Sequence, residues 1–132
     1  MANKKEYILQ NQKFLRDIAT DPQTLTLPKG ILYQVIKSGD GPSPSLSSVV
    51  CVYYTGALIN GKVFDNNTNQ SYPDALRLSE LITGWQIALT RMHVGDKWRI
   101  YIPAEMGYGA QAVDGIPKNS TLIFEIELVS VA

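Results

Sequence analysis

Residues 49–65, VVCVYYTGALINGKVFD, contain the pattern that decides the fold. The first part, 49–58, is rich in β-branched and aromatic residues, which suit a pleated and partly buried strand. Asn60-Gly61 follows directly, and this pair tolerates positive φ at both turn positions, so it favours a tight hairpin into a second strand at 62–65. The hairpin therefore predicts an antiparallel sheet.

Further strands are predicted on both sides of this hairpin. Short apolar or alternating runs place them at 31–37, near Leu76 and Leu78, at Lys97–Ile102 and at Leu122–Val131. The intervening segments 38–48 and 66–74 are rich in Gly, Pro, Ser and Asn, which is typical of loops. Most of the chain is thus expected to form antiparallel sheet.

Two helices interrupt this β pattern. Thr83-Gly84-Trp85-Gln86 matches a capping box, so a short helix is expected to run from there to about Met92, with Gly95 in a left-handed position beyond it. Residues 3–20 are mostly good helix formers and carry apolar side chains on one face, at Tyr7, Ile8, Phe14, Leu15 and Ile18. Because prolines follow at 22 and 28, we divide the chain into an N-terminal helical extension with its linker, 1–27, and a main domain, 28–132.

Composition excludes several classes of function. The 132 residues carry twelve basic and twelve acidic side chains without a basic run, which argues against nucleic-acid binding as the role of this chain. The single Cys51, predicted to be a core thiol, excludes an intramolecular disulfide, and the single His93, predicted to be solvated, excludes the usual multi-histidine metal sites. No nucleophile or phosphate-binding motif occurs. We therefore expect neither a metal nor another cofactor.

The sequence also bears on compartment. No apolar run approaches the roughly 18 residues of a membrane span. The start, MANKKEYILQNQKF, lacks the apolar region of a secretory signal. We expect a cytoplasmic protein, or a periplasmic or lipoprotein-anchored one if a leader has been removed.

Large aromatic residues cluster near predicted strand ends and helix starts, and their order along the chain is specific. The segments YTG (54–56), GKVFD (61–65), LITGW (81–85), MHVGD (92–96), YGA (108–110) and IPKNSTLIF (116–124) resemble the FKBP-type peptidyl-prolyl cis-trans isomerases, in the order and near the spacing of that family. The resemblance covers about residues 30–131. The helix before it is similar to extensions found in bacterial members. The resemblance to this family implies an α+β fold, in which a strongly curved antiparallel sheet, or half-barrel, wraps around one short α-helix, with an extra N-terminal helix.

The resemblance also implies a site. Trp85 would form the floor of an apolar groove for the substrate proline ring, with Tyr54, Phe64 and Phe124 as its walls. The implied catalytic residues are Tyr54, Phe64, Asp65 and Tyr108, and the implied substrate-binding residues are Leu81, Ile82, Trp85, Ile116 and Phe124. Asp65 would either orient Tyr54 or act electrostatically on the substrate carbonyl. The Ile82 amide and the Tyr108 hydroxyl would bind ligand carbonyls. Proline-containing polypeptides are the implied substrates, and macrolide immunosuppressant-type compounds are implied ligands.

Rotation of an X–Pro bond needs no nucleophile, since it breaks only amide resonance, with a barrier of roughly 18–20 kcal/mol. A dry aromatic groove should favour the twisted amide over the planar one. We therefore predict an isomerase that assists protein folding. The alternative is a catalytically weak chaperone or adaptor that uses the same groove.

The sequence leaves three features of the protein open. The family usually has another aromatic wall residue between Phe64 and Trp85, where this chain has only Tyr72, Pro73 and Ala75. Either Tyr72 swings into the groove, or the groove is wider there and binds macrolides less tightly. Ala112 or Val113 would overhang the groove from the loop at 109–116.

The N-terminal helix would be only marginally stable in isolation, so it is expected either to form a homodimer or to dock on its own domain.

Overall fold

A computed structural model describes residues 3–132, which form one seven-stranded antiparallel sheet and two α-helices. The elements are α1 (Lys4–Ala19), β1 (Leu25–Thr26), β2 (Leu32–Lys37), β3 (Val49–Ala57), β4 (Val63–Asn66), β5 (Asp74–Arg77), α2 (Thr83–Leu89), β6 (Lys97–Ile102) and β7 (Leu122–Val131). Short 3₁₀ turns lie at Pro28–Gly30, Leu78–Glu80 and Ala104–Met106. The predicted α+β class, with a short central helix and an extra N-terminal helix, is confirmed.

The strand from the deciding hairpin, β3, is central to the sheet. The strand order is β1-β2-β6-β7-β3-β4, and β5 also pairs with β3. Along one edge β3 pairs with β7, while along the other it pairs first with β5 and then with β4. On this second edge the change of partner leaves a short stretch of β3 near Tyr54 without a partner strand, at the position that carries the site.

Alternation along β3 decides which side chains enter the core. Val50 and Val52 are fully buried, whereas Cys51 and Tyr53 are half-buried on the opposite face. The expectation of a core thiol is therefore wrong, because successive side chains of a strand point to opposite faces and the two valines take the inner one. His93 is exposed, as predicted.

The inner face of the sheet is covered by α2. Its Trp85, Ala88 and Leu89 are buried in one apolar core with strand residues such as Ile102. Gly84 permits this close approach, since a Cβ at that position would lie 2.6 Å from a methyl carbon of Ile102. The helix is thus held tightly enough to fix the orientation of Trp85.

The predicted start and end of this helix are wrong in detail. Its N-cap is Ile82 rather than Thr83, without a side-chain cap, and the helix ends at Leu89 instead of Met92. The Gln86 side chain, expected to reach back to a capping residue, donates instead to the Leu81 carbonyl at 2.7 Å. Gly95 does have a positive φ of 99°, although it follows a turn rather than the helix itself.

The hairpin is present, but its turn is one residue longer than predicted. The Leu58 amide donates to the Lys62 carbonyl and the Gly61 amide donates to Leu58, both at 2.9 Å, which closes a three-residue loop. Of the predicted pair, Gly61 alone has positive φ, at 88°. Asn60 contributes through its side chain, which accepts from the Lys62 amide. This is the turn followed by a left-handed glycine that is common in three-residue hairpins.

The first helix packs on its own domain. Asn3 caps its start by accepting from the Glu6 amide at 2.8 Å, so α1 lies within the predicted 3–20 segment. Phe14 packs against Tyr101 of β6, with ring centroids 6.1 Å apart. Of the two arrangements expected for this helix, docking on its own domain is therefore observed. Among residues 3–132, neither helix combines the length and the apolar character needed to cross a membrane.

Candidate active site

A cavity of about 390 Å³ opens between α2, the β3–β4 hairpin and the loop before β7. All nine residues that the sequence singled out line it: Tyr54, Phe64, Asp65, Leu81, Ile82, Trp85, Tyr108, Ile116 and Phe124. Four others also line it: Leu76, Glu80, Val113 and Asp114. Its volume lies within the range of small-ligand pockets.

The floor of this cavity is a rigid aromatic cluster. Trp85 is only 4% exposed, and the rings of Tyr54 and Phe124 meet its indole edge-to-face, with centroid distances of 5.1 and 5.2 Å. Phe64 continues the cluster by packing edge-to-face on Phe124 at 5.6 Å. Such pairs gain energy beyond their buried area, so the cluster is held in one arrangement.

A glycine allows the two phenylalanines to lie where they do. Gly56 of β3 is paired with Phe124 in the sheet and lies across from the Phe64 ring. A Cβ at Gly56 would come within 2.7 Å of ring carbons of both Phe64 and Phe124. The backbone of β3 therefore forms the support behind these two walls.

A hydrogen bond across the hairpin orients the polar edge of the cavity. The Tyr54 hydroxyl donates to Asp65 Oδ2 at 2.8 Å, and Asp65 Oδ1 accepts from the Asn66 amide at 2.9 Å. Burial, and after it the bond to Asp65, raises the pKa of Tyr54 well above its ordinary value. Tyr54 is therefore a neutral donor at all ordinary pH values, and Asp65 is a carboxylate held in a fixed orientation at the rim.

Asn67, which the sequence did not single out, holds Tyr54 in place. It is 4% exposed and fills the stretch where β3 changes partner from β5 to β4. Its Oδ1 accepts from the Tyr54 amide at 2.7 Å, while its Nδ2 donates to the Val52 carbonyl at 3.0 Å and to Asp74 at 3.1 Å. Nothing local marks this asparagine, since it lies in a polar segment predicted to be a loop.

Two groups at the cavity are free to bind a ligand. The Ile82 carbonyl accepts from the Trp85 amide at 3.0 Å, but the Ile82 amide has no partner among residues 3–132. The Tyr108 hydroxyl likewise has no hydrogen-bond partner within that part of the chain. Both are donors, so both suit carbonyl oxygens of a bound peptide.

The structure answers the question of the missing wall. Tyr72 is 75% exposed and does not line the cavity, whereas Leu76 of β5 does. On the opposite side Val113, rather than the exposed Ala112, lines the cavity and is bridged to Ile116 by two backbone hydrogen bonds. This side of the cavity is thus lined by an aliphatic side chain, where the family resemblance led us to expect an aromatic one.

The rim of the cavity is acidic. Its ionisable side chains other than tyrosine are Asp65, Glu80 and Asp114, and no lysine, arginine or histidine lines it. Within residues 3–132 these carboxylates take part in no salt bridge, and no cluster suited to a metal ion is found there.

Comparison with known proteins decides the family. A family model described as FKBP-type peptidyl-prolyl cis-trans isomerase matches residues 41–129. The chain belongs to this family. The predicted resemblance is therefore confirmed, and the match includes every residue named above as lining the cavity.

Alignments with individual family members cover nearly all of the chain. It is 42% identical over 123 residues to the peptidyl-prolyl cis-trans isomerase Mip of Coxiella burnetii, covering 92% of this chain and 54% of that protein. It is 41% identical over 130 residues to FkpA of Escherichia coli, covering 98% and 46%. The chain thus spans about half the length of the curated relatives it matches.

Solved structures agree with the fold. A peptidyl-prolyl cis-trans isomerase from Pseudomonas syringae pv. tomato superposes with a TM-score of 0.91 at 37% identity, covering 100% of this chain and 98% of that one. The crystal structure of Escherichia coli FkpA gives 0.90 at 37% identity, covering 96% and 60%. The first covers all of this chain, so its aligned region includes the N-terminal helix.

Proposed function

We propose that this protein is a peptidyl-prolyl cis-trans isomerase that rotates X–Pro bonds in polypeptides and so assists folding. The observation that carries the proposal is the aromatic cavity with two unpaired donors on its border. Slow X–Pro isomerisation limits the folding of many chains, so such an activity has broad use. We assign the activity to residues 28–132 and regard 1–27 as an extension.

Each part of the cavity has a role in this proposal. The substrate proline ring packs on the Trp85 indole, between Phe64 and Phe124. Leu81 and Ile116 extend the apolar surface to the residues beside proline. The Ile82 amide and the Tyr108 hydroxyl hold peptide carbonyls on either side of the rotating bond.

Catalysis follows from differential binding of the twisted amide. When the X–Pro bond twists, its nitrogen loses conjugation and its carbonyl loses much of its charge separation. An apolar, water-poor cavity therefore stabilises the twisted amide relative to the planar one, and each 1.36 kcal/mol of that difference gives about a tenfold rate increase. Asp65 contributes by holding Tyr54 in orientation, through the 2.8 Å hydrogen bond.

The experiment that tests this proposal is a protease-coupled isomerisation assay on short X–Pro peptides with several X residues. We expect turnover well above the uncatalysed rate. We also expect Phe64→Ala and Asp65→Ala to lower turnover by a larger fraction than they lower the free energy of unfolding. Tyr72→Ala is the matched control, because Tyr72 is an exposed aromatic residue that does not line the cavity. Background rates from the folded wild type, together with binding of unfolded chains, would instead indicate a chaperone or adaptor.

We further propose that macrolide immunosuppressant-type compounds compete with peptide for this cavity. The aliphatic Leu76 replaces an aromatic wall, so we expect weaker binding than a fully aromatic groove would give. Inhibition of the peptide assay by such a compound tests the idea. Unchanged turnover at the solubility limit of the compound would contradict it.

Assembly and compartment stay predictions. A homodimer through α1 would have to use surface that the docked helix leaves exposed, such as Leu9, and sedimentation equilibrium distinguishes it from a monomer.

A relative from Legionella longbeachae, 40% identical over 132 residues, is named an outer membrane protein. Fractionation of cells that express the natural gene tests the cytoplasmic location against an extracytoplasmic one.

A further inference from the structure

The N-terminal helix is bonded to the segment that carries one side of the candidate active site. The Thr121 amide donates to Asn11 Oδ1 at 2.8 Å, and the Tyr7 and Ser120 hydroxyls lie 2.7 Å apart. We call these two hydrogen bonds the helix brace. They join residues more than a hundred positions apart, so no local element requires them.

The Asn11–Thr121 bond of the helix brace is buried, and the Tyr7–Ser120 bond is partly buried. Asn11 is 3% exposed and Thr121 is 1% exposed, although the other residues on the inner face of α1 are only half-buried. Asn11 Nδ2 also donates to the Tyr7 carbonyl at 2.8 Å, which fixes the direction of its amide group. Because a buried amide without a partner costs free energy, Thr121 depends on Asn11.

The direction of the hydrogen bond between Tyr7 and Ser120 can be assigned, because the Ser120 hydroxyl has only one proton to donate. That proton is directed to the Pro117 carbonyl, with Oγ and O 2.6 Å apart. The Tyr7 hydroxyl must therefore donate to Ser120. Tyr7 thus acts on a serine that itself holds the chain directly after Ile116.

The helix brace connects to both ends of the loop in the site. Pro117 follows Ile116, and the Asn119 amide donates to the Gly109 carbonyl at 2.7 Å, next to Tyr108. Ile116 and Tyr108 both line the cavity. A shift of residues 117–121 would therefore move an apolar contact and a hydroxyl donor of the site together.

We propose that Tyr7 and Asn11 are positioning residues for the active site, which act through Ser120 and Thr121 on Ile116 and Tyr108. They lie outside residues 41–129, the part that the family model matches. The inference rests on the proposed isomerase function. It makes the N-terminal helix a determinant of substrate binding rather than a spacer.

Tyr7→Phe and Asn11→Ala test the helix brace. Tyr7→Phe removes one hydroxyl and keeps the ring, and Asn11→Ala removes the acceptor for Thr121. We expect each to raise KM for an X–Pro peptide about threefold to tenfold with a smaller change in kcat, since Ile116 and Tyr108 bind the planar and twisted peptide alike. Phe14→Leu is the control on the same helix, because Phe14 packs on Tyr101 of β6 and takes no part in the helix brace, and it should leave KM unchanged.

A second readout separates this inference from the isomerase proposal. Amide hydrogen exchange should become faster at Ile116 and Asn119 in both brace variants, and the indole NMR signal of Trp85 should shift. If the wild type lacks turnover but exchange and the indole signal change as expected, the isomerase proposal fails and the positioning role survives. Wild-type KM and exchange in folded Tyr7→Phe and Asn11→Ala would overturn the inference, and so would an equal rise in KM for Phe14→Leu.

Discussion

Gly56→Ala is expected to damage the site through a single added methyl group. Its Cβ would lie 2.7 Å from ring carbons of Phe64 and Phe124, whereas carbon atoms in contact lie about 3.5–4.0 Å apart. Each ring must therefore retreat by about 1 Å. Overpacking of this kind costs about 1–3 kcal/mol of unfolding free energy. Displacing catalytic groups by about 1 Å can cost up to about 100-fold in rate, so we expect kcat/KM to fall about 10-fold to 100-fold.

A matched glycine outside the site controls for lost stability. Gly41→Ala would place its Cβ 2.7 Å from Val94 Cβ, at a comparable clash away from the cavity. Urea unfolding and the peptide assay are to be run on both variants. We expect a similar loss of stability in the two, but lost turnover in Gly56→Ala alone. Wild-type kcat/KM in Gly56→Ala would refute the assignment of Phe64 and Phe124 as walls.

Three further predictions concern the polar groups of the site. Because the pKa of Tyr54 is raised in the folded state, its contribution to stability is fully present below about pH 10 and is lost as pH rises towards the folded-state pKa. The difference in unfolding free energy between wild type and Tyr54→Phe should therefore shrink above pH 10 in urea titrations. Asn67→Ala leaves the partly buried Tyr54 amide without its acceptor and should cost about 1–3 kcal/mol of unfolding free energy in the same measurement. An unchanged midpoint would argue against the bridging role of Asn67. Tyr108→Phe should lower kcat/KM about threefold to tenfold at unchanged melting temperature, as expected for one hydrogen bond worth about 0.5–1.5 kcal/mol, and equal activity would remove Tyr108 from the proposed contacts.

The strands and most of the site could be predicted because their signals are local. Residues 49–65 carry strand propensity and turn chemistry within one stretch, and the motifs around Phe64, Trp85 and Phe124 lie in a fixed order. Apolar alternation in Leu122–Val131 identifies the buried face of this strand, and its burial alternates as expected through Leu128. Local patterns are sufficient where one residue's neighbours in sequence decide its conformation.

Several of the errors arose where distant contacts decide. Cysteine is a residue type that is usually buried, but the pairing of β3 directs Val50 and Val52 inward and leaves the Cys51 thiol on the other face. Asn67 lies in a polar segment, and its role exists only because β3 changes partner beside it. In the sequence Asn11 resembles an ordinary helix residue, and its role depends on a hydrogen bond from the amide of Thr121, 110 positions away.

Two-dimensional NMR exchange spectroscopy on an X–Pro peptide tests the central claim most directly, because it observes bond rotation without a coupled protease. With a small amount of protein, we predict exchange cross-peaks between cis and trans forms at mixing times where the free peptide has none. The Trp85 indole signal should move during the titration, while Trp98, which stacks on Tyr33 and does not line the cavity, should not. Cross-peaks absent at every concentration of folded protein would contradict the account.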